Sequence, residues 1–340
     1  MDPKPETRNL PLITRLKLCL LSIITNLCMH PDGTVNRFLE DLIVTKSAAN
    51  PTPVEGVKSY DVSIDPDREL WFRVFVPAVS TSGKLPLVLY YHGGGFSFNS
   101  PDSGPYDGLC RRFARMIPAV VVSASYRLTP ENKYPSQYDD GIDGLKFLDD
   151  ERNRKSLPEN ADLQRCFVSG DSAGGNLAHQ VCIRASQNKF QQIKVIGLVA
   201  LQPFFGGEER TASELSPENW RGLTLYQTDF YWRALMPVDG GWDRDNEVIN
   251  VSGPRAMDIS GVDFPATLVV VGGRDILQDW QRKYYEWLKK LGKEARLEEY
   301  RYMFHGFYAF TELDEATHVI SVIKDFVNNQ INKMKYSKRF

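Results

Sequence analysis

The sequence predicts an α/β protein with a mostly parallel central sheet. Short unbroken apolar runs, rich in β-branched residues, recur along the chain, as strands buried on both faces require. Helical stretches separate most of these runs, which is the alternation of a sheet wound with helices. Composition agrees: 42 % of residues are hydrophobic and 25 % charged, enough apolar surface to offset the entropy of ordering.

The elements follow in order. Leu16, Leu20, Ile23, Ile24 and Leu27 recur at helical spacing and predict an amphipathic helix lying on the protein. The apolar stretch Leu18–Met29 follows Arg8, Arg15 and Lys17, so a targeting or membrane-associating role is the alternative. It contains Ser22, Thr25 and Asn26 and is shorter than the roughly 20 apolar residues that span a bilayer, so no stable membrane insertion is expected. Val57–Ile64 and Leu70–Val76 read as a strand pair turning at Asp65-Pro66-Asp67. Leu87–Tyr91, Ala119–Ser123, Cys166–Ser169, Val195–Leu201 and Thr267–Val271 read as buried strands, and Leu297–Tyr300 as strand-like. Tyr106–Met116, Gln137–Asp149, Ala173–Ser186, Trp280–Leu291 and Ala316–Ile331 read as helices. Lys333, Lys335, Lys338 and Arg339 read as a solvated helix end.

The segment 205–261 breaks the alternation, being rich in Gly, Pro, Trp and charge. A helical insertion covering one sheet edge is expected, forming a cap over a pocket together with residues 1–45. Length alone suggests roughly two domains, but α/β sheets run to 340 residues as one unit. A single domain over 1–340 is the expectation. A net charge of -2 gives no sign of a nucleic-acid partner. Five widely spaced cysteines without a CxxC pair argue against a disulfide framework or zinc site and for buried thiols in a reducing compartment. The expected location is the cytoplasm, with the nucleus as an alternative. Oligomeric state is left open.

Three motifs carry chemistry. Gly170-Asp171-Ser172-Ala173-Gly174 sits between a strand and a helix, where a sharp turn pushes a serine hydroxyl out above the sheet. The helix start then places N–H groups beside that oxygen. His92-Gly93-Gly94-Gly95 follows another strand and suits an oxyanion loop; chance would give it about 0.002 times in a chain of this composition. A base must come later. Of five histidines, His92 belongs to the glycine loop, His179 lies two turns into the helix after Ser172, His318 reads as surface and His30 precedes the sheet. His305 remains, in a loop before the last helix. Asp275, after the strand Thr267–Val271, is the candidate to orient it. Asp279 competes, although it reads more simply as the N-cap of the helix from Trp280.

Here the sequence resembles the plant carboxylesterases of the hormone-sensitive-lipase-like group of α/β-hydrolases, a group related to the gibberellin receptor. Agreement runs from Asp32-Gly33-Thr34-Val35 to the final helix and includes Tyr126–Glu131 (YRLTPE), Tyr134-Pro135 and Gln137–Gly141 (QYDDG). Gly170–Asn176 (GDSAGGN) and Phe205–Thr211 (FGGEERT) agree as well. The resemblance implies the α/β-hydrolase fold with a helical cap, and puts Ser172, Asp275 and His305 on the triad positions. It puts Gly94, Gly95 and Ala173 on the positions whose N–H groups form the oxyanion hole. Ile276 stands where the family usually has Pro. In the receptor branch the histidine is aliphatic and the last loop glycine is Ser; this chain keeps His305 and Gly95.

The expected activity is hydrolysis of carboxylic esters of small apolar or plant-metabolite substrates through a serine acyl-enzyme, with no metal or organic cofactor. Phe96, Phe98, Phe204 and Trp232 are candidates for an apolar pocket, against a reading as ordinary core. A hormone-type small-molecule receptor and a dehydratase or cyclase on the same scaffold are the alternatives.

Overall fold

The computed structural model describes residues 10–78, 83–219 and 222–337. Lys338 and Arg339 of the basic end lie outside them. The first elements are α1 (Leu12–Cys28), α2 (Arg37–Ile43), β1 (Val57–Asp65), β2 (Leu70–Pro77) and β3 (Leu85–Tyr91). Next come α3 (Gly104–Met116), β4 (Val120–Ala124), α4 (Ser136–Asp149), β5 (Ala161–Asp171), α5 (Ala173–Ser186) and β6 (Val195–Leu201). The last are α6 (Ala212–Leu215), α7 (Leu225–Leu235), β7 (Ala266–Gly272), α8 (Gln278–Lys290), β8 (Ala295–Tyr300) and α9 (Asp314–Ser337).

The strands form one sheet in the order β1-β2-β4-β3-β5-β6-β7-β8. β1, β2 and β4 pair antiparallel; every other pairing is parallel. All residues of β3 and β4 are buried, which explains their continuous apolar sequences. Side chains alternate between two cores. Leu87, Leu89 and Tyr91 of β3 face the core covered by α4, α5 and α8, whereas Val88 and Tyr90 face the core covered by α3 and α9.

Several motif residues hold the layers together. Asp140 on α4 accepts from the backbone N–H of Arg127 at 3.0 Å and from its guanidinium at 2.8 Å. Asn176 on α5 donates to the carbonyls of Phe204 and Val248 and accepts from the Tyr138 hydroxyl. Arg37 on α2 donates to Glu131 at 2.7 Å, to Glu40 at 2.7 Å and to the carbonyls of Ser97 and Thr129. That single guanidinium fastens the N-terminal region to the YRLTPE motif and to the loop after the glycines.

Two expectations change here. α1 forms, but of the predicted stripe only Ile24 is on the packed side, half-buried. Leu16, Leu20, Ile23 and Leu27 are 58, 59, 52 and 60 % exposed, whereas Thr14, Leu18 and Cys28 are buried. Polar ties choose the orientation: Thr14 and Lys17 both donate to Glu312, and Gln227 donates to Asn26 at 2.9 Å. Periodicity shows that a helix has an apolar side; it does not show which tether turns it. Second, the described residues of 205–261 hold only α6, α7 and short turns, and the segment leaves the sheet between neighbouring interior strands β6 and β7. Its Leu223, Gln227 and Tyr231 line a pocket instead of shielding a sheet edge.

Among the described residues no helix is long and apolar enough to cross a membrane. Cys28, Cys110, Cys166 and Cys182 are buried free thiols; Cys19 is exposed.

Leu89 is wholly buried at the centre of the sheet. Leu89→Ala is expected to lower unfolding free energy by about 2–5 kcal/mol in urea denaturation. A loss under about 1 kcal/mol would contradict this account of the core.

Candidate active site

Ser172 lies in the turn between β5 and α5 with φ 51° and ψ -119°, a conformation a non-glycine residue adopts only under constraint. The constraint is close backbone packing. A Cβ on Gly170 would meet the Gly174 carbonyl at 2.1 Å, and one on Gly174 would meet the Tyr91 carbonyl at 2.1 Å. The Ser172 N–H donates to the Leu201 carbonyl at 2.9 Å, and its carbonyl accepts from Phe204 at 2.8 Å.

His305 comes from the loop after β8. Its Nε2 lies 2.9 Å from Ser172 Oγ and its Nδ1 lies 2.8 Å from Asp275 Oδ2. Asp275, after β7, is wholly buried. Its Oδ2 also accepts from Gln202 and Gln281, each at 2.9 Å, and its Oδ1 accepts from the Leu277 N–H at 2.9 Å. Burial alone would pull the His305 pKa down. The charge and hydrogen bond of Asp275, with the charge of Asp171, outweigh it and leave the ring above its ordinary 6.5.

Asp279 has a different place. It is the second residue of α8, not its N-cap, which is Leu277. Its Oδ2 accepts from the Ser213 N–H at 2.8 Å and its Oδ1 pairs with Arg282. The other histidines lie elsewhere, His30 being exposed just after α1. His92 stacks on Tyr126 with ring centroids 4.3 Å apart, and burial pushes its pKa down to about 4. His179 is buried beside the Tyr284 hydroxyl, with its pKa pushed down to about 3 by burial. His318 is exposed and bonded to Tyr300.

Gly94 and Gly95 follow β3 with φ of 109° and 63° and line a cavity of about 230 Å³ with Ser172 and His305. Ala173 is the first residue of α5. The backbone N–H groups of all three meet no acceptor among the described residues, which suits them to a developing negative charge. The loop is held from below by Asp171, whose Oδ1 accepts from the Gly93 N–H at 2.8 Å and the Tyr90 hydroxyl at 2.7 Å. Its Oδ2 accepts from Tyr308 at 2.9 Å and Tyr106 at 3.0 Å.

Of the four aromatic candidates, only Phe98 lines the cavity. Phe96, Phe204 and Trp232 lie behind it as core. Phe204 and Trp232 stack with centroids 3.9 Å apart, and Phe96 packs on Trp232 at 6.3 Å. None of the three presents its ring to this cavity. The apolar wall comes instead from Leu21 and Ile24 of α1, Leu109 of α3, Leu223, Tyr231 of α7 and Phe310. Tyr231 packs so close that a Cβ on Gly95 would meet its ring at 2.3 Å.

Gln202 was not singled out by sequence. It follows β6 with φ 42°, donates to Asp275 and the Phe304 carbonyl, and accepts from the Gly306 N–H at 2.7 Å. It thereby joins the loop bearing the histidine to the acid. A glutamine after a strand carries no motif, so only the contacts reveal it. Among the described residues no cluster of His, Cys, Asp and Glu is placed to hold a metal ion.

A family model for the alpha/beta hydrolase fold matches residues 88–309, and the chain belongs to that family. Within it, the chain is a carboxylesterase-like member with plant relatives. It is 40 % identical over 331 residues to a gibberellin receptor of Arabidopsis thaliana, covering 94 % of each chain. It is 35 % identical over 284 residues to carboxylesterase 20 of the same plant, covering 79 % of this chain and 85 % of that one. It is 31 % identical over 303 residues to a 3-O-acetylpapaveroxine carboxylesterase of Papaver somniferum, covering 85 % of this chain and 95 % of that one. Among solved structures, an ester hydrolase from the Lake Arreo metagenome matches with a TM-score of 0.74 at 26 % identity, over 95 % of this chain and 100 % of that one. An esterase of Pyrobaculum calidifontis matches with a TM-score of 0.73 at 26 % identity, over 93 % and 98 %.

The electrostatics can be read directly. The His305 ring is expected to titrate above 6.5 by NMR, so its neutral, proton-accepting form appears only as pH rises through that raised value. Asp275→Asn removes the charge and should move the titration to lower pH. An unchanged titration in the variant would contradict the assignment of Asp275 as the group that holds His305 up.

Proposed function

We propose that the protein is a carboxylic ester hydrolase acting through a serine acyl-enzyme. The observation that carries this reading is the relay from Asp275 Oδ2 through both ring nitrogens of His305 to Ser172 Oγ, at 2.8 and 2.9 Å, beside the Gly94-Gly95 loop. His305 takes the proton of Ser172 as Oγ attacks the ester carbonyl. Asp275 holds the tautomer that leaves Nε2 free to accept, and stabilises the imidazolium that forms. The N–H groups of Gly94, Gly95 and Ala173 receive the oxyanion; in other enzymes the loss of one such donor costs about 3–4 kcal/mol. His305 then protonates the departing alcohol, and water attacks the acyl-enzyme by the same route.

The substrate is a small ester with an apolar body, since the roughly 230 Å³ cavity exposes more apolar than polar surface, with Leu21, Ile24, Leu109, Leu223, Phe98 and Phe310 in its walls. One hydrolase domain carries the reaction, and residues from 1–45 and 205–261 act as its cap. Leu21, Ile24, Cys28 and Glu40 from the first and Leu223, Gln227 and Tyr231 from the second line the cavity. The unpaired thiols favour work in the cytoplasm.

A second reading is a small-molecule receptor, favoured by the 40 % identity to a gibberellin receptor over 94 % of the chain. The presence of His305 and Gly95 favours the enzyme, because a base within reach of Ser172 serves turnover and adds nothing to mere occupancy.

Purified protein is expected to hydrolyse p-nitrophenyl acetate and butyrate, and Ser172→Ala to lower kcat by at least about a thousandfold. A variant with undiminished turnover would refute the mechanism; micromolar or tighter ligand binding with no turnover of any ester would favour the receptor. Gln202→Leu should lower kcat by about 100-fold with a smaller change in KM, because it loosens the histidine loop without touching substrate. Equal losses through KM alone would contradict that role.

A further inference from the structure

A second cavity, of about 330 Å³, lies against the face of α7 that carries Tyr226, Asp229 and Arg233, the opposite side from Gln227 and Tyr231 of the substrate pocket. Arg210, Trp232, Trp242 and Arg244 complete its lining. Three of these residues are cationic and one is acidic.

The hydrogen-bonding is one-sided. Asp229 spends both carboxylate oxygens on Arg210, each at 2.8 Å. Arg210 also donates to Glu214 at 3.0 Å. Arg244 lies 2.9 Å from the same Asp229 oxygen that Arg210 already occupies. That ion pair is not aligned as a hydrogen bond, and Nε and both terminal nitrogens of Arg244 are shut off from solvent without making one. Among the described residues Arg233 reaches only the backbone carbonyl of Asp229, through Nε at 3.4 Å. The indole N–H of Trp232 is likewise buried without an acceptor.

A guanidinium carries five donors in a flat fork suited to carboxylate, phosphate or sulfate oxygens. Enclosing that fork without acceptors is costly. Burial pulls the Arg244 pKa below its usual range, and the like charge of Arg210 adds to this, against the opposing charges of Asp229, Glu214 and Glu208. The lining therefore sets three guanidinium groups against one carboxylate whose two oxygens already serve Arg210, and a small oxyanion supplies the further acceptors.

We propose that this cavity binds a small oxyanion, a phosphate, sulfate or carboxylate, with Arg233 as donor at the mouth and Arg244, turned from Asp229 toward the cavity, as the deeper and principal ligand. The site is separate from Ser172, and its ligand is not the ester. α7 forms a wall of both cavities, so the ligand would sit behind the helix that carries Tyr231.

The test is calorimetry and tryptophan fluorescence on the full chain, titrated with sodium phosphate, sodium sulfate or sodium acetate at ionic strength held constant with chloride. Saturable one-to-one binding of at least one of the three is expected, at about millimolar affinity or tighter. Arg244→Gln should weaken it by about tenfold or more, the scale of a charge-assisted hydrogen bond. Arg233 is exposed, so Arg233→Gln leaves the fold intact and decides the matter if Arg244→Gln fails to fold; it should weaken binding about threefold. No saturable binding of any of the three anions would overturn the proposal. So would binding that both variants leave unchanged, or that Arg233→Gln leaves unchanged where Arg244→Gln does not fold.

Discussion

The site depends on how closely the turn at Gly170–Gly174 packs against the end of β3. The 2.1 Å that a Cβ on Gly174 would leave to the Tyr91 carbonyl is too short for any side chain. This one contact sets three things together. It holds Ser172 at positive φ, it starts α5 at Ala173, and it puts both beside the glycine loop that continues from Tyr91. The Ser172 hydroxyl and the free N–H groups thus share one rigid junction between adjacent parallel strands. In the proposed reaction, groups placed this way need no rearrangement when charge develops.

Two buried carboxylates flank that junction. Asp171 is held by three tyrosine hydroxyls and the Gly93 N–H, and Asp275 by Gln202, Gln281, His305 and the Leu277 N–H. Burying a carboxylate costs free energy that only such hydrogen bonds offset. Burial drives the Asp171 pKa upward even so, and the tyrosine hydroxyls oppose that drift. The same bonds couple loops that are distant in sequence. Tyr308 ties the histidine loop to Asp171, and Gln202 ties it to Asp275. Placement of His305 is therefore the outcome of a network, not of its own loop.

Much of this was legible in the sequence, for identifiable reasons. Strands buried on both faces leave unbroken apolar runs, so β3, β4, β6 and β7 were readable from those runs. The elbow and the glycine loop were readable because backbone geometry admits few residues there. Asp275 was favoured over Asp279 by its position after a strand, and the contacts of both residues agree with that order. Contacts that carry no local pattern were not readable. Gln202 obeys no motif, and the tether from Thr14 and Lys17 to Glu312 spans almost the whole chain. Phe96, Phe204 and Trp232 read equally well as pocket or core, because aromatic rings near a candidate serine serve either, and only their place behind the cavity separates the two. The donor-rich cavity behind α7 was invisible for the same reason, since it gathers Arg210, Arg233 and Arg244 from three separate stretches.

The central claim is that Ser172 is an activated nucleophile. A fluorophosphonate probe tests it directly, because only a serine with a base and an oxyanion site reacts rapidly with such a phosphorus centre. Intact-mass and peptide measurements are expected to show one adduct per chain, on Ser172, forming more slowly as pH falls and His305 becomes protonated. Absence of an adduct, or an adduct on another residue, would contradict the account.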